Sequence, residues 1–316
     1  MFKIAIVGTG AIAKAHTNAI AAHPELEVAC VCDINEERAK SFSDTLGVPY
    51  FLNYKDIPSS VECDAVILNL PHGLHKEAAI FFLESGIHVL VEKPMANTVE
   101  ECDAMIAAAE KSGKKIAIAH PQRFSRANMF VKEIIDSGKL GRICMYNEQR
   151  SINYFDEKRP AWFTNKKMAG GGIVMNYGAH AFDRICSFTG ARPTEVFAGC
   201  SNFLNDKDVE GHAQILAKFD NGMTASVTFS GYNTVLYENV LYFTNGAIRI
   251  RGINVDVKVG DGKFETTENL HDGKDFVREL DAFYKYTKGE PSEIEIPDPA
   301  FGRSVIEAIQ KAYNEI

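Results

Sequence analysis

A chain of 316 residues, 46% hydrophobic and 24% charged, has the make-up of a globular protein long enough for two domains with substantial cores. Its formal charge of −8 argues against nucleic acid or an anionic membrane surface as the main partner. Seven scattered cysteines lack paired metal-ligand spacing, so no metal is expected, and their odd number favours reduced thiols and a cytoplasmic home. The apolar N-terminal segment is broken by Gly8 and Gly10 and reads as part of the fold rather than an export signal. No apolar run is long enough to span a bilayer.

In chain order, Ile4 to Val7 is a short apolar run of the kind buried on both faces of a parallel sheet. It ends in Gly8-Thr9-Gly10-Ala11-Ile12-Ala13, and an amphipathic stretch follows from Ala11 to Ala22. In a dinucleotide-binding turn the first glycine permits the bend, and the second lets the backbone approach the pyrophosphate. The third small residue, here Ala13, lets helix and strand pack closely. The helix start then offers its N–H groups and positive dipole end to phosphate. Asp33 closes the next apolar run, Val28 to Cys32, where a carboxylate accepts ribose hydroxyls and repels a 2′-phosphate. NAD is therefore the expected cofactor and NADP the less favoured one, with Arg38 a turn further on as the counter-argument.

Strand and helix alternate up to residue 120. Helix Glu36 to Leu46 stops at Gly47, and Ala65 to Leu70 is the next buried strand after an undecided stretch from Tyr50 to Ser60. Helix His72 to Ser85, strand His88 to Val91, a helix from the Thr98/Glu101 capping pair to Ser112, and strand Lys115 to His120 complete the series. This predicts a doubly wound parallel sheet over residues 1–121.

The period changes after Pro121. A helix over Ala127 to Ser137 leads into a strand from Arg142 to Ile152, and a glycine-opened helix runs from Ile173 to Phe188. Beyond Gly190 come successive strands with hairpin signals at Asn221-Gly222, Asn245-Gly246 and Gly260-Asp261-Gly262. They predict an antiparallel sheet, with helices Asp275 to Lys288 and Phe301 to Asn314, in a second domain over 122–316.

Ligands of a doubly wound sheet lie beyond the carboxyl ends of its strands, where Glu92-Lys93-Pro94 falls. An ammonium there can stabilise developing charge on an alcohol or ketone oxygen, and a cis Pro94 would aim it; taken alone the tripeptide also suits a surface loop. Asn176 and His180 lie four apart on the predicted helix, with Asp183 and Arg184 continuing the stripe. Gly178 within it suggests close packing. Asn69-Leu70-Pro71-His72 and His75 fit residues near the cofactor better than metal ligands. Arg123 can reach the cleft or stay a surface charge, and Trp162 can wall a sugar pocket or pack in the core. Lys166 and Lys167 suit an anionic group or a solvated loop.

Together the turn Gly8 to Ala13, Pro71 to His75, Glu92-Lys93-Pro94, Arg123, Trp162 and Gly170 through Asp183 give the chain its likeness. It resembles the Gfo/Idh/MocA oxidoreductases over nearly its whole length. That resemblance implies an N-terminal Rossmann domain and a C-terminal α/β domain with a large open antiparallel sheet, through which many members form homodimers or homotetramers. It also implies a cofactor site of Gly8, Thr9, Gly10, Ala11, Ile12, Asp33, Asn69, Leu70, Pro71, His72, His75, Glu92, Lys93 and Arg123. Substrate falls to Lys93, Arg123, Trp162, Asn176 and His180, with Lys93, His180 and Asn176 as the catalytic set. The family's usual aspartate is Asn176 here, an amide that positions hydroxyls without taking a proton, which leaves His180 as the base.

The expected activity is hydride transfer between nicotinamide and a secondary alcohol of a sugar, cyclitol or related polyol. Two further readings from the same family are an NAD-using glycosidase and a non-catalytic NAD-sensing regulator. The presence of both Lys93 and His180 weighs against the regulator.

Overall fold

A computed structural model describes residues 1–204, 206–232 and 235–314. The first part of the chain alternates as β1 (Phe2–Val7), α1 (Ala13–Ala21), β2 (Leu26–Cys32), α2 (Glu36–Leu46), β3 (Tyr50–Phe51), α3 (Ile57–Ser60), β4 (Ala65–Leu68), α4 (His75–Glu84), β5 (His88–Glu92), α5 (Val99–Ser112) and β6 (Ile116–Ala119). All six strands are parallel, in the order β3-β2-β1-β4-β5-β6, the doubly wound Rossmann arrangement. Every residue of β4 is buried, as the unbroken Ala-Val-Ile-Leu run requires of a strand covered on both faces. The undecided stretch after Gly47 supplies the edge strand β3 and the short α3.

The predicted Gly47 stop and Thr98/Glu101 pair act as such, and Asn35 adds a cap that was not predicted. The Asn35 side chain accepts the Arg38 N–H at 2.9 Å to start α2, and Gly47 ends it in the left-handed conformation with φ +68°. Thr98 Oγ1 accepts the Glu101 N–H at the start of α5, while Glu101 Oε2 accepts from Asn97 N.

Next come α6 (Arg126–Asp136), β7 (Ile143–Ser151), α7 (Lys166–Ala169) and α8 (Ile173–Thr189). The strands β8 (Pro193–Ser201), β9 (His212–Phe219), β10 (Thr224–Ser230), β11 (Leu236–Phe243), β12 (Gly246–Arg251), β13 (Asn254–Val259) and β14 (Glu265–Thr267) follow. Helices α9 (Asp275–Lys288) and α10 (Pro299–Asn314) close the chain. The second sheet has the order β14-β13-β12-β11-β7-β10-β9-β8. Its three predicted hairpins pair antiparallel, but β7 and β10 run parallel. The sheet is therefore mixed rather than purely antiparallel. The chain between β7 and β10 includes α8 and two strands, and a crossover of that length, unlike a hairpin, returns a strand in the same direction.

The chain divides into two compact units, Met1–Pro121 with Lys274–Arg303, and Gln122–Gly273 with Ser304–Ile316. The segment from 274 to 303 thus clusters with the first unit, where a single cut at residue 121 would have left it in the second. Its helix α9 packs on α1, with Phe276 edge-on to His16 at 5.1 Å and Asp281 3.3 Å from His23. No helix among the described residues is long and apolar enough to cross a membrane.

Candidate active site

Parallel register gathers the first group of residues. Val7 pairs with Cys32 and with Leu68, and Leu68 pairs with Val91. The residues that follow these strands, Gly8, Asp33, Asn69 and Lys93, therefore emerge at one end of the sheet. The strand order reverses between β1 and β4, and that crevice is where a doubly wound sheet binds its ligand.

The turn after β1 fits a dinucleotide. Gly8 has φ +92°, and a Cβ there would run into the Asn69 carbonyl, so glycine is required by the neighbouring loop. A Cβ at Gly10 would meet nothing within 4 Å, which leaves that side of the turn open for the approach of a pyrophosphate. Leu70 and Pro71 continue the loop, and His72 beside them is buried with its ring 5.8 Å from that of His75. Beyond β2, Asp33 Oδ2 accepts from Thr9 N and Thr9 Oγ1, both at 2.9 Å, while Oδ1 accepts from Asn35 N and Arg38 Nη2, both at 2.8 Å. Burial alone would raise the Asp33 carboxyl; Arg38 and these donors hold it below its ordinary value. Of the four donors, only Arg38 comes from a largely exposed side chain, so it is the partner a ribose hydroxyl can replace.

Lys93 sits on a pinned segment. The Lys93–Pro94 bond is cis. On one side Glu92 is buried, with Oε1 2.9 Å from His16 Nε2 on α1. Burial would raise the Glu92 carboxyl, but His16 first, then Lys93 and His120, hold it below the usual carboxylate range. On the other side the Pro94 carbonyl lies 3.0 Å from His75 Nδ1, whose Nε2 is 2.9 Å from the Leu70 carbonyl. His75 is wholly buried, and burial lowers its pKa against the opposing pull of those carbonyls. The ring's visible work is to tie the loop after β4 to the loop after β5.

In the second unit α8 carries the other group. Of the three glycines before it, Gly170 ends α7 in the left-handed conformation, and Gly171 and Gly172 make room for protein rather than for a ligand. A Cβ on Gly171 would strike the Tyr313 hydroxyl, and one on Gly172 the Glu210 backbone. Glu210 accepts from Gly172 N and Val174 N, and the Tyr313 hydroxyl donates to Glu210 Oε1 at 2.8 Å while accepting from Met175 N. The helix start is thus capped by a carboxylate from a distant loop, which sequence spacing did not reveal. Gly178 differs: a Cβ there would lie 3.6 Å from Ile309, ordinary contact, so the expected tight approach is not present. Gly172→Ala is accordingly expected to cost about 1–3 kcal/mol through forced displacement. Gly178→Ala is expected to be neutral or to add up to about 1 kcal/mol of helix stability. Thermal unfolding of both variants checks this, and equal losses would contradict the packing described.

The predicted polar stripe divides in two. Asp183 and Arg184 are buried anchors: Arg123 Nη2 donates to Asp183 Oδ1 at 2.5 Å. Arg184 donates to Glu148 Oε2 and to Gln122 Oε1, each at 2.6 Å, and Tyr146 also donates to Glu148. Asn176, buried, hydrogen-bonds the side chain of Tyr154, and His180 is half-buried with its ring 6.2 Å from that of Tyr177. Arg123, placed by the sequence in the cleft, is thereby tied to α8. Trp162 is half-buried and stacked on Phe163, whereas Lys166 and Lys167 are exposed on α7. Arg150 on β7 escaped the sequence reading altogether. Its guanidinium lies over the Tyr177 ring at 4.2 Å and the Tyr237 ring at 5.0 Å.

Residues 2–120 match the model of the oxidoreductase family with an NAD-binding Rossmann fold, and residues 129–249 match the GFO/IDH/MocA C-terminal domain. The chain belongs to the GFO/IDH/MocA oxidoreductase family. Its first unit is an NAD-binding Rossmann fold, in line with the open turn at Gly10 and the carboxylate of Asp33. Among its relatives, 1-carboxy-3-chloro-3,4-dihydroxycyclohexa-1,5-diene dehydrogenase of Comamonas testosteroni is 34% identical over 58% of this chain and 46% of that protein. D-glucoside 3-dehydrogenase of Escherichia coli is 31% identical over 57% of this chain and 52% of that one. The chain spans about half the length of these curated relatives. The aldose-aldose oxidoreductase of Caulobacter crescentus, solved with glycerol, superposes with a TM-score of 0.89 at 25% identity, covering 99% of this chain and 97% of that one.

Proposed function

We propose that the protein is an NAD-dependent dehydrogenase acting on a secondary alcohol of a sugar, cyclitol or related polyol. The observation that carries the reading is α8, which holds Asn176 and His180 one turn apart on a helix held at its start by Glu210 and in its second half by the Arg123–Asp183 and Arg184–Glu148 pairs. Bound NAD supplies the acceptor or donor of hydride. The neutral imidazole of His180 takes the alcohol proton during oxidation and returns it during reduction. Lys93 donates to the reacting oxygen, and the pinned backbone on both sides limits how far it can stray. Asn176 positions a substrate hydroxyl, Trp162 forms an apolar wall, and Arg123 acts through Asp183. The substrate class is supported by the names of the relatives, which act on glucosides and on a dihydroxylated ring.

The test is a screen of sugars, cyclitols and polyols with NAD, read as NADH formation at 340 nm. Turnover of at least one ring secondary alcohol is expected, and a silent panel in both reaction directions would sink the reading. NAD is expected to bind about tenfold or more tighter than NADP, because Asp33 faces the ribose position. Arg38→Ala is expected to weaken NADP further while leaving NAD within a few-fold, since Arg38 is the cation that could meet a 2′-phosphate. Fluorescence titration of both cofactors decides this, and tighter NADP binding would overturn the role given to Asp33.

A homodimer or homotetramer built through the second sheet belongs to the same proposal. Its support is the sheet face carrying exposed Met145, Phe197, Leu216 and Tyr242, a larger apolar display than a solvated face needs. A cytoplasmic location is supported by seven cysteines that form no disulfide.

A further inference from the structure

Strand alternation puts Tyr146, Glu148 and Arg150 on one face of β7, the face against which α8 packs. Beside β7 and α8 stand the guanidiniums of Arg123, Arg150 and Arg184 and the carboxylates of Asp183 and Glu148. Asp183 is held by Arg123, and Glu148 by Arg184 and Tyr146. That leaves Arg150 in excess. It makes no ion pair among the described residues, and its Nη1 is buried without an acceptor among them. Arg150 is half-buried, with one guanidinium nitrogen cut off from water and no ion pair to offset it, and such a group favours an anion. The aromatic rings of Tyr177 and Tyr237 offer it faces but no acceptor of negative charge, while its N–H donors lie in the guanidinium plane, suited to two oxygens of one oxyanion.

We infer that Arg150 is the binding residue for an anionic group on the substrate, a carboxylate or a phosphate carried by the sugar or cyclitol. The inference rests on the reading that α8 lines the substrate site. Tyr177 makes the link, because its ring touches Arg150 and stands beside His180. An oxyanion on Arg150 therefore fixes one end of a substrate whose reacting alcohol is presented to His180. The substrate is then an acidic or phosphorylated polyol rather than a neutral one. Glu148 lies on the same strand face, but its two donors, Arg184 and Tyr146, both meet Oε2, and it forms no ion pair with Arg150 among the described residues.

The experiment is calorimetric binding to the protein saturated with NADH, using matched sets of gluco, galacto and manno configuration. Each set contains the hexose, its uronate and its 6-phosphate. At least one anionic form is expected to bind about 10- to 100-fold tighter than its neutral parent, the size of a charge-assisted bidentate contact. The uronate and phosphate arms tell the two oxyanions apart. Arg150→Met is expected to erase the advantage while leaving neutral sugars within a few-fold, and Arg150→Lys to keep part of it. Arg150→Lys also covers the case in which Arg150→Met does not fold. No preference for any anionic form in the wild type, or a preference that survives in Arg150→Met, would overturn the inference. Turnover of neutral sugars with no anion preference would leave the dehydrogenase reading standing without it. Arg150-dependent anion binding in a protein that turns nothing over would remove that reading and keep the anion site.

Discussion

Replacing Lys93 with alanine is expected to lower kcat by about 10²-fold or more while leaving NAD affinity within a few-fold of wild type. The ammonium is assigned to the oxygen whose charge changes most between alcohol and transition state, so its loss falls on rate rather than cofactor binding. The flanking groups make the experiment clean. Glu92 is held by His16 and the Pro94 carbonyl contacts His75, so truncating the side chain between them leaves the loop's supports in place. Steady-state kinetics with a substrate from the screen, together with NAD titration, measure both quantities. Near-normal turnover would make Lys93 a loop charge, and loss of NAD binding with unchanged kcat would make it a cofactor contact only.

The Rossmann half was legible because each of its devices is local. A buried apolar run, a glycine turn, a capping side chain and a stop glycine occupy neighbouring positions, and β1, α2 and α5 follow from them directly. The parallel pairing of β7 with β10 was not legible, since hairpin signals report only neighbours in sequence. The glycines before α8 show the same limit. Their clustering was visible, but what they admit, Glu210 and Tyr313, lies 38 and more than a hundred residues away. Asp183 and Arg184 looked like an extension of the Asn176/His180 stripe because helical spacing reports direction, not burial. Arg150 was hidden for the opposite reason: a single arginine in a strand has no motif, and only the ion pairs around it reveal that it is in excess.

His180→Ala is expected to abolish both most of the oxidation rate and its dependence on pH. With His180 as base, kcat/KM for oxidation rises with pH as the imidazole loses its proton, and a methyl group in its place cannot titrate. Asn176→Ala serves as the contrast. The amide hydrogen-bonds Tyr154 and takes no proton, so its removal raises KM and lowers rate without moving the profile. Asn176→Asp places a carboxylate one helical turn from His180, where it favours the imidazolium. The sign follows: a raised imidazole pKa means that the neutral base appears only at higher pH, so the rising limb moves upward. The measurement is the pH dependence of kcat/KM for wild type and the three variants. A profile unchanged in His180→Ala would move the proton transfer to Lys93. A profile unchanged in Asn176→Asp, with the variant folded, would mean that the carboxylate is spent on Tyr154 and never reaches the imidazole. The double variant Asn176→Asp with Tyr154→Phe separates that case, because freeing the carboxylate from the phenol then restores the upward shift.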